Sequence, residues 1–140
     1  MDKRQFVATL LNWLEENGIS THGLHVSHGG SLLMMGLNDS TDDIDLTVTQ
    51  EIFDHFDGKY PTKDIGEGRY LIVVTDLIDI HLMEKRDYPI VVTCDPSGIW
   101  YRDAQTTLDD YKVLNRPKDQ EKFGVLERYI RKYPRSKIIN

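Results

Sequence analysis

Hydrophobic and polar positions change period several times along this chain, and each change marks an element. From Lys3 to Glu16 apolar residues fall at Phe6, Val7, Leu10, Leu11, Trp13 and Leu14, the spacing of one helix face, with Gly18 as a C-terminal stop. Leu24 to Ser27 reads as a short strand running into Gly29 and Gly30, and SLLMMG behind it has the apolar density of a buried helical turn or two. After a polar turn from Asn38 to Asp42, the residues Ile44, Leu46 and Val48 alternate with Asp43, Asp45 and Thr47. That period of two predicts a strand. Thr49 can then cap a helix bearing Ile52, Phe53 and Phe56.

GKYPTKDIGEG reads as a loop, being rich in Gly, Pro and Lys. The β-branched run RYLIVVTDLIDIHLM after it is either one long strand or a tight hairpin turning near Thr75 and Asp76. Ile90 to Thr93 and Ile99 to Tyr101 predict two further strands around the turn signal DPSG. Two helices are expected to close the chain, one behind a Thr107-x-x-Asp110 capping pattern and one starting near Pro117. The order suggests an α/β (α+β) fold, a mixed sheet with helices packed against it, in a single domain over residues 1–140.

Composition adds bounds. Apolar residues make up 39% and charged residues 29% of 140, an ordinary globular balance that excludes wholesale disorder. No apolar run approaches the length of a membrane span, and the amphipathic start reads as a helix rather than a signal peptide. Cys94 is the single cysteine, so no internal disulfide and no Cys-based zinc site can form, in keeping with a cytoplasmic location. The net charge of −6 is uneven: residues 1–111 carry −12 and residues 112–140 carry +6. A basic end beside an acidic body can attract phosphates, or be a solvated helix face.

Candidate chemistry centres on Asp43 and Asp45. Two apart in a strand, their carboxylates leave the same face roughly 7 Å apart along the backbone. Carboxylates so placed raise each other's pKa unless a cation sits between them, and Mg²⁺ or Mn²⁺, with its preference for hard oxygen donors, is the natural cation. The plain alternative is two solvated aspartates on an edge strand. The upstream context favours a site, because Gly29, Gly30 and Ser31 at a strand-to-helix turn would let backbone N–H groups approach an anion. A site holding two ions calls for a third carboxylate on a neighbouring strand. Asp79, flanked by Ile78 and Ile80, repeats the apolar-Asp-apolar pattern, and Asp76 is the alternative.

The stretch HVSHGGSLLMMGLNDSTDDIDLTV resembles the signature of the polymerase-beta-like nucleotidyltransferase superfamily, in which a Gly-Gly or Gly-Ser turn precedes an Asp-apolar-Asp strand. It is most similar to the small branch that includes abortive-infection type toxins of toxin-antitoxin systems, through Gly29, Gly30, Gly36, Thr41, Asp43, Ile44 and Asp45, then Lys112 and the Arg116-Pro-Lys118-Asp119 segment. The resemblance covers roughly residues 24–130. It implies that Asp43, Asp45 and Asp79 bind metal, that Gly30 with Ser31 contacts a triphosphate, and that Lys112 and Lys118 steady phosphates or the acceptor. Asp119 is then structural, anchoring a basic neighbour. Relatives often carry a basic residue in the turn before T-x-D-I-D, where this chain has Asn38 and Asp39.

The resulting expectation is metal-dependent transfer of a nucleoside monophosphate from an NTP to a hydroxyl acceptor, releasing pyrophosphate. The acceptor would be RNA steered by the basic segment at 107–133, a protein side chain or a small molecule, and a protein partner or second copy could complete the acceptor site. The rival is a catalytically silent regulator, inhibitor or antitoxin of the same fold. Trp13 and Trp100 read as packing residues. The five histidines show no metal spacing, although His81 shares a strand face with Asp79 and His28 immediately precedes the glycines.

Overall fold

A computed structural model describes residues 1–135. The first helix, α1 (Lys3–Asn17), is capped as its sequence demands: Asp2 accepts from the Gln5 amide, the Gln5 side chain returns the bond, and Gly18 takes the left-handed conformation. Its apolar face buries Phe6, Leu10, Trp13 and Leu14, and Trp13 stacks on Phe56, a packing role as expected. Next come β1 (Leu24–Val26), α2 (Gly29–Met34), β2 (Ile44–Val48) and α3 (Gln50–Phe56).

The segment expected as a loop instead forms β3 (Thr62–Gly66), paired antiparallel with β4 (Arg69–Val73). All five β3 residues are exposed, so no face is buried and the hydrophobic alternation that betrays most strands is missing. The β-branched run resolves into β4 and β5 (Ile78–Leu82), a hairpin whose turn is held by Thr75 Oγ1 accepting from the Leu77 and Ile78 amides. β6 (Val92–Cys94) and β7 (Trp100–Arg102) form the last hairpin. The result is a seven-stranded sheet in the order β3-β4-β5-β2-β1-β7-β6. It is mixed, with β2–β5 and β1–β7 parallel and the other pairs antiparallel.

The C-terminal part corrects two expectations. α4 (Ala104–Leu114) begins behind Asp103, whose carboxylate accepts from the Thr106 amide, rather than behind Thr107. Thr107 is already inside the helix, buried, its hydroxyl donating to the Arg102 carbonyl. The helix at Pro117 starts where expected but breaks after one turn, giving α5 (Pro117–Gln120) and α6 (Phe123–Lys132). Three helices therefore close the described chain instead of two.

Strand alternation divides the sheet. Leu24, Val26, Ile44, Leu46, Ile78 and Ile80 enter the main core with α1 and α3. A second cluster joins Leu32 of α2 to Leu108 and Tyr111 of α4 and Leu126 of α6. The opposite parity of the central strands carries His25, Asp45, Thr47, Asp79 and His81, so burying one face leaves the other for chemistry. No helix among the described residues is long and apolar enough to cross a membrane.

Candidate metal centre

Backbone register places the acids. β2 and β5 pair in parallel with Asp45 opposite Asp79, and Asp43 precedes β2 in the same parity. One carboxylate oxygen from each of Asp43, Asp45 and Asp79 lies within 4.8 Å of the others. Asp76, the alternative third acid, is exposed in the β4–β5 turn and outside this cluster.

Burial pushes the Asp43 and Asp79 carboxyls above the ordinary carboxylate range, and neighbouring carboxylates push further: Asp45 and Asp79 on Asp43, and Asp45 on Asp79. Lys118 offsets part of the rise at Asp43, and His81 and Lys63 part of that at Asp79. Cations thus approach from α5 and from β3. Lys63 was hidden in the stretch that reads as a loop. Three mutually repelling carboxylates on adjacent segments are a hard-oxygen donor set, which fits a small divalent ion such as Mg²⁺ or Mn²⁺.

The glycine turn is built differently from its sequence reading. His28, not a glycine, takes the positive φ (57°, with ψ −130°) that swings the chain from β1 into α2, a conformation costing a non-glycine residue about 1–3 kcal/mol. Gly30 is required by packing: a Cβ there would lie 2.5 Å from Val26 Cγ1 and 2.9 Å from Phe6 Cζ. At Gly29 the nearest obstacle to a Cβ is Thr41 Oγ1 at 3.5 Å. Ser31 is fully buried; its hydroxyl donates to the Val26 carbonyl and its amide to the His28 carbonyl. Any anion at this turn therefore meets backbone rather than the Ser31 side chain.

Of the basic residues singled out by sequence, Lys118 adjoins Asp43, whereas Lys112 stands exposed on α4 and does not line the cleft described below. Asp119 is structural: it accepts from Arg116 Nε at 2.7 Å, Nη2 at 3.0 Å and the Arg116 amide at 3.1 Å. Burial opposes ionisation of Asp119, yet these bonds hold its pKa below the ordinary value. Lys122 reaches the turn before β2, its Nζ donating to Asn38 Oδ1 at 2.8 Å.

Asp45 opens onto a cleft of about 820 Å³ whose floor and walls include His28, Thr47, His81, Arg86, Arg102 and Arg116. Here the histidines converge, although nothing in their spacing announced it. His81 Nε2 lies 3.7 Å from Asp45 Oδ1, and the His28 and His81 rings are 6.1 Å apart. Burial lowers the His28 pKa against the pull of Asp45, so its ring is neutral near pH 7. Parity with Asp79 was the one sequence signal for His81.

Deeper in the cleft wall, Arg102 Nη1 donates to Asp110 Oδ2 at 2.8 Å and its Nε to His25 Nε2 at 3.0 Å, while the Tyr88 hydroxyl donates to Asp110 Oδ1. This chain of bonds ties the segment after β5 to α4 and β1. Compared with protein-family models, curated proteins and solved structures, the chain matches none.

Proposed function

We propose that this chain is a metal-dependent nucleotidyltransferase of the polymerase-beta-like kind, moving a nucleoside monophosphate from an NTP to a hydroxyl acceptor and releasing pyrophosphate. The observation that carries the reading is the meeting of Asp43, Asp45 and Asp79 within 4.8 Å beside a cleft large enough for a nucleotide. Cleft volumes of a few hundred Å³ or more are typical of small-ligand sites.

A divalent ion, Mg²⁺ or Mn²⁺, held by these carboxylates would neutralise charge on the transferring phosphoryl group and lower the acceptor hydroxyl's pKa. Asp79, whose own pKa is raised by burial and by Asp45, would take the hydroxyl proton as the oxygen attacks the α-phosphorus and the bond to pyrophosphate breaks. Lys118 beside Asp43 and the amides of Gly29 and Gly30 would meet triphosphate oxygens. Arg128, Arg131 and Lys132, exposed on α6, would steer an RNA acceptor.

Incubating labelled NTPs and Mg²⁺ or Mn²⁺ with the wild type and with Asp43→Asn, offering cellular RNA and protein as acceptors, tests the reading. Label transfer that Asp43→Asn abolishes is the expected result. Absence of transfer under every condition would favour a silent binding module, and metal binding indifferent to Asp43→Asn would overturn the site itself.

A further inference from the structure

The cleft that Asp45 opens onto is also lined by Arg86, Tyr88, Arg102 and Asp110. Arg102 reaches it although only 5% exposed. Its Nε donates to His25 Nε2 at 3.0 Å and its Nη1 to Asp110 Oδ2 at 2.8 Å. These two bonds fix the plane of the guanidinium, and with it the direction of Nη2. Among the described residues Nη2 donates to no other group, yet it is not one of the buried atoms left without a partner, which are His28 Nδ1, His81 Nε2 and Arg69 Nε. It is therefore reached from the cleft, the open corner of a buried and locked cation.

Asp110 neutralises Arg102, so that pair alone attracts an anion weakly. Arg86 supplies charge beside it. Its Nη1 shares Glu84 Oε2 with Arg69 Nη1, at 2.9 Å and 2.6 Å, so two guanidiniums meet one carboxylate. Glu67, 4.0 Å from Arg69, is 86% exposed, and solvent screens it. Arg86 adjoins the Arg102 pair through Tyr88, whose hydroxyl feels the Arg86 charge and donates to Asp110.

From this geometry we infer a phosphate-binding subsite in the cleft, with Arg102 Nη2 as its fixed donor and Arg86 as its second cation. Planar N–H donors match phosphate oxygens, and a donor locked beforehand loses little rotamer freedom on binding. The choice of phosphate over another anion rests on the nucleotidyltransferase reading, under which the group belongs to the NTP or to an RNA acceptor.

Calorimetric titration of the full chain at fixed free Mg²⁺, with inorganic tripolyphosphate and separately with an oligouridylate lacking terminal phosphates, tests the subsite. Affinity is expected to fall at least about tenfold in Arg102→Lys, which can keep the bond to Asp110 but has no Nη2, and in Arg86→Gln. A loss toward tripolyphosphate assigns the subsite to the NTP, and a loss toward the oligouridylate alone assigns it to the acceptor. Arg4→Gln, exposed on α1, controls for net charge and should bind as the wild type does. Neither anion binding to the wild type, or both binding unchanged to the two cleft variants, would overturn the inference. No transfer step is read, so label transfer that Asp43→Asn abolishes can stand while the subsite fails, and the reverse. Arg86→Gln changes an exposed side chain and carries the test should Arg102→Lys fail to fold.

Discussion

Asp45 and Asp79 stand directly opposite one another on the parallel strands β2 and β5. Without a cation, that pairing destabilises the sheet, because like charges across a strand pair repel by about 0.2–1 kcal/mol. Asp79→Asn should therefore raise stability by about that amount in EDTA, as read by thermal denaturation. Excess Mg²⁺ should reverse the order, stabilising the wild type by linkage while doing little for the variant. A variant less stable than the wild type in EDTA would mean that the repulsion is already relieved from within the protein.

His25 gives the fold a dependence on pH that is separate from the acidic trio. It is 4% exposed, its Nε2 accepts from Arg102 Nε, and burial, followed by the Arg102 charge, lowers its pKa to about 4. The folded state keeps this ring neutral where the unfolded chain, with an ordinary value of 6.5, protonates it. Stability is then complete above pH 6.5 and declines as pH falls towards 4, by about 3 kcal/mol in all. Urea denaturation at intervals between pH 7 and pH 4, in wild type and His25→Gln, isolates the contribution as the difference in slope. Parallel curves would rule it out.

Much of this arrangement is legible in the chain because alternation and register are local properties. The pattern Ile44-Asp45-Leu46 assigns Asp45 to the face away from the core, and Ile78-Asp79-Ile80 does the same on a second strand. That the two strands are neighbours, in the register that sets Asp45 against Asp79, is a tertiary fact with no sequence signature. β3 carries no strand signal for a physical reason: neither of its faces is buried, so Thr62 to Gly66 has no hydrophobic period to mark the strand or its Lys63. α4 was displaced by competition among caps, Asp103 winning because Thr107 is already buried beneath Arg102. His28 and His81 lie far apart in sequence, and only folding brings their rings to 6.1 Å.

The network around Asp110 separates two costs. Asp110 is buried and bonded to Arg102 and Tyr88. Removing it with Asp110→Ala leaves the buried Arg102 guanidinium, 5% exposed, without its counter-charge, for which about 3–5 kcal/mol is expected. Tyr88→Phe deletes one hydrogen bond to a charged group and leaves the ion pair, for about 1.5–3 kcal/mol. Burial and the bond to Asp110 hold the Tyr88 hydroxyl at a pKa of about 12, so it remains a donor throughout the accessible range. Equilibrium urea unfolding of both variants should preserve this order; equal losses would show that Tyr88 is as necessary to Asp110 as Arg102 is.

Gly29 and Gly30 look equivalent in sequence, and their surroundings predict different responses to alanine. Both have ordinary negative φ, so neither is needed for backbone freedom. Alanine in a helix gains at most about 1 kcal/mol over glycine, and less at a first-turn position. At Gly30 that gain is outweighed, because the new methyl would press on Val26 and Phe6 at 2.5 Å and 2.9 Å, and overpacking costs about 1–3 kcal/mol. Phe6 and Val26 are fully buried, which leaves little room to yield. Gly30→Ala should therefore lower stability by about 1–2 kcal/mol, and Gly29→Ala should stay within about 0.5 kcal/mol of wild type. Folded protein of either variant should bind Mg²⁺ as tightly as wild type in calorimetric titration, since no metal ligand moves on the polar face. A stable Gly30→Ala protein with weakened Mg²⁺ binding would instead place this glycine in the metal site rather than beneath it.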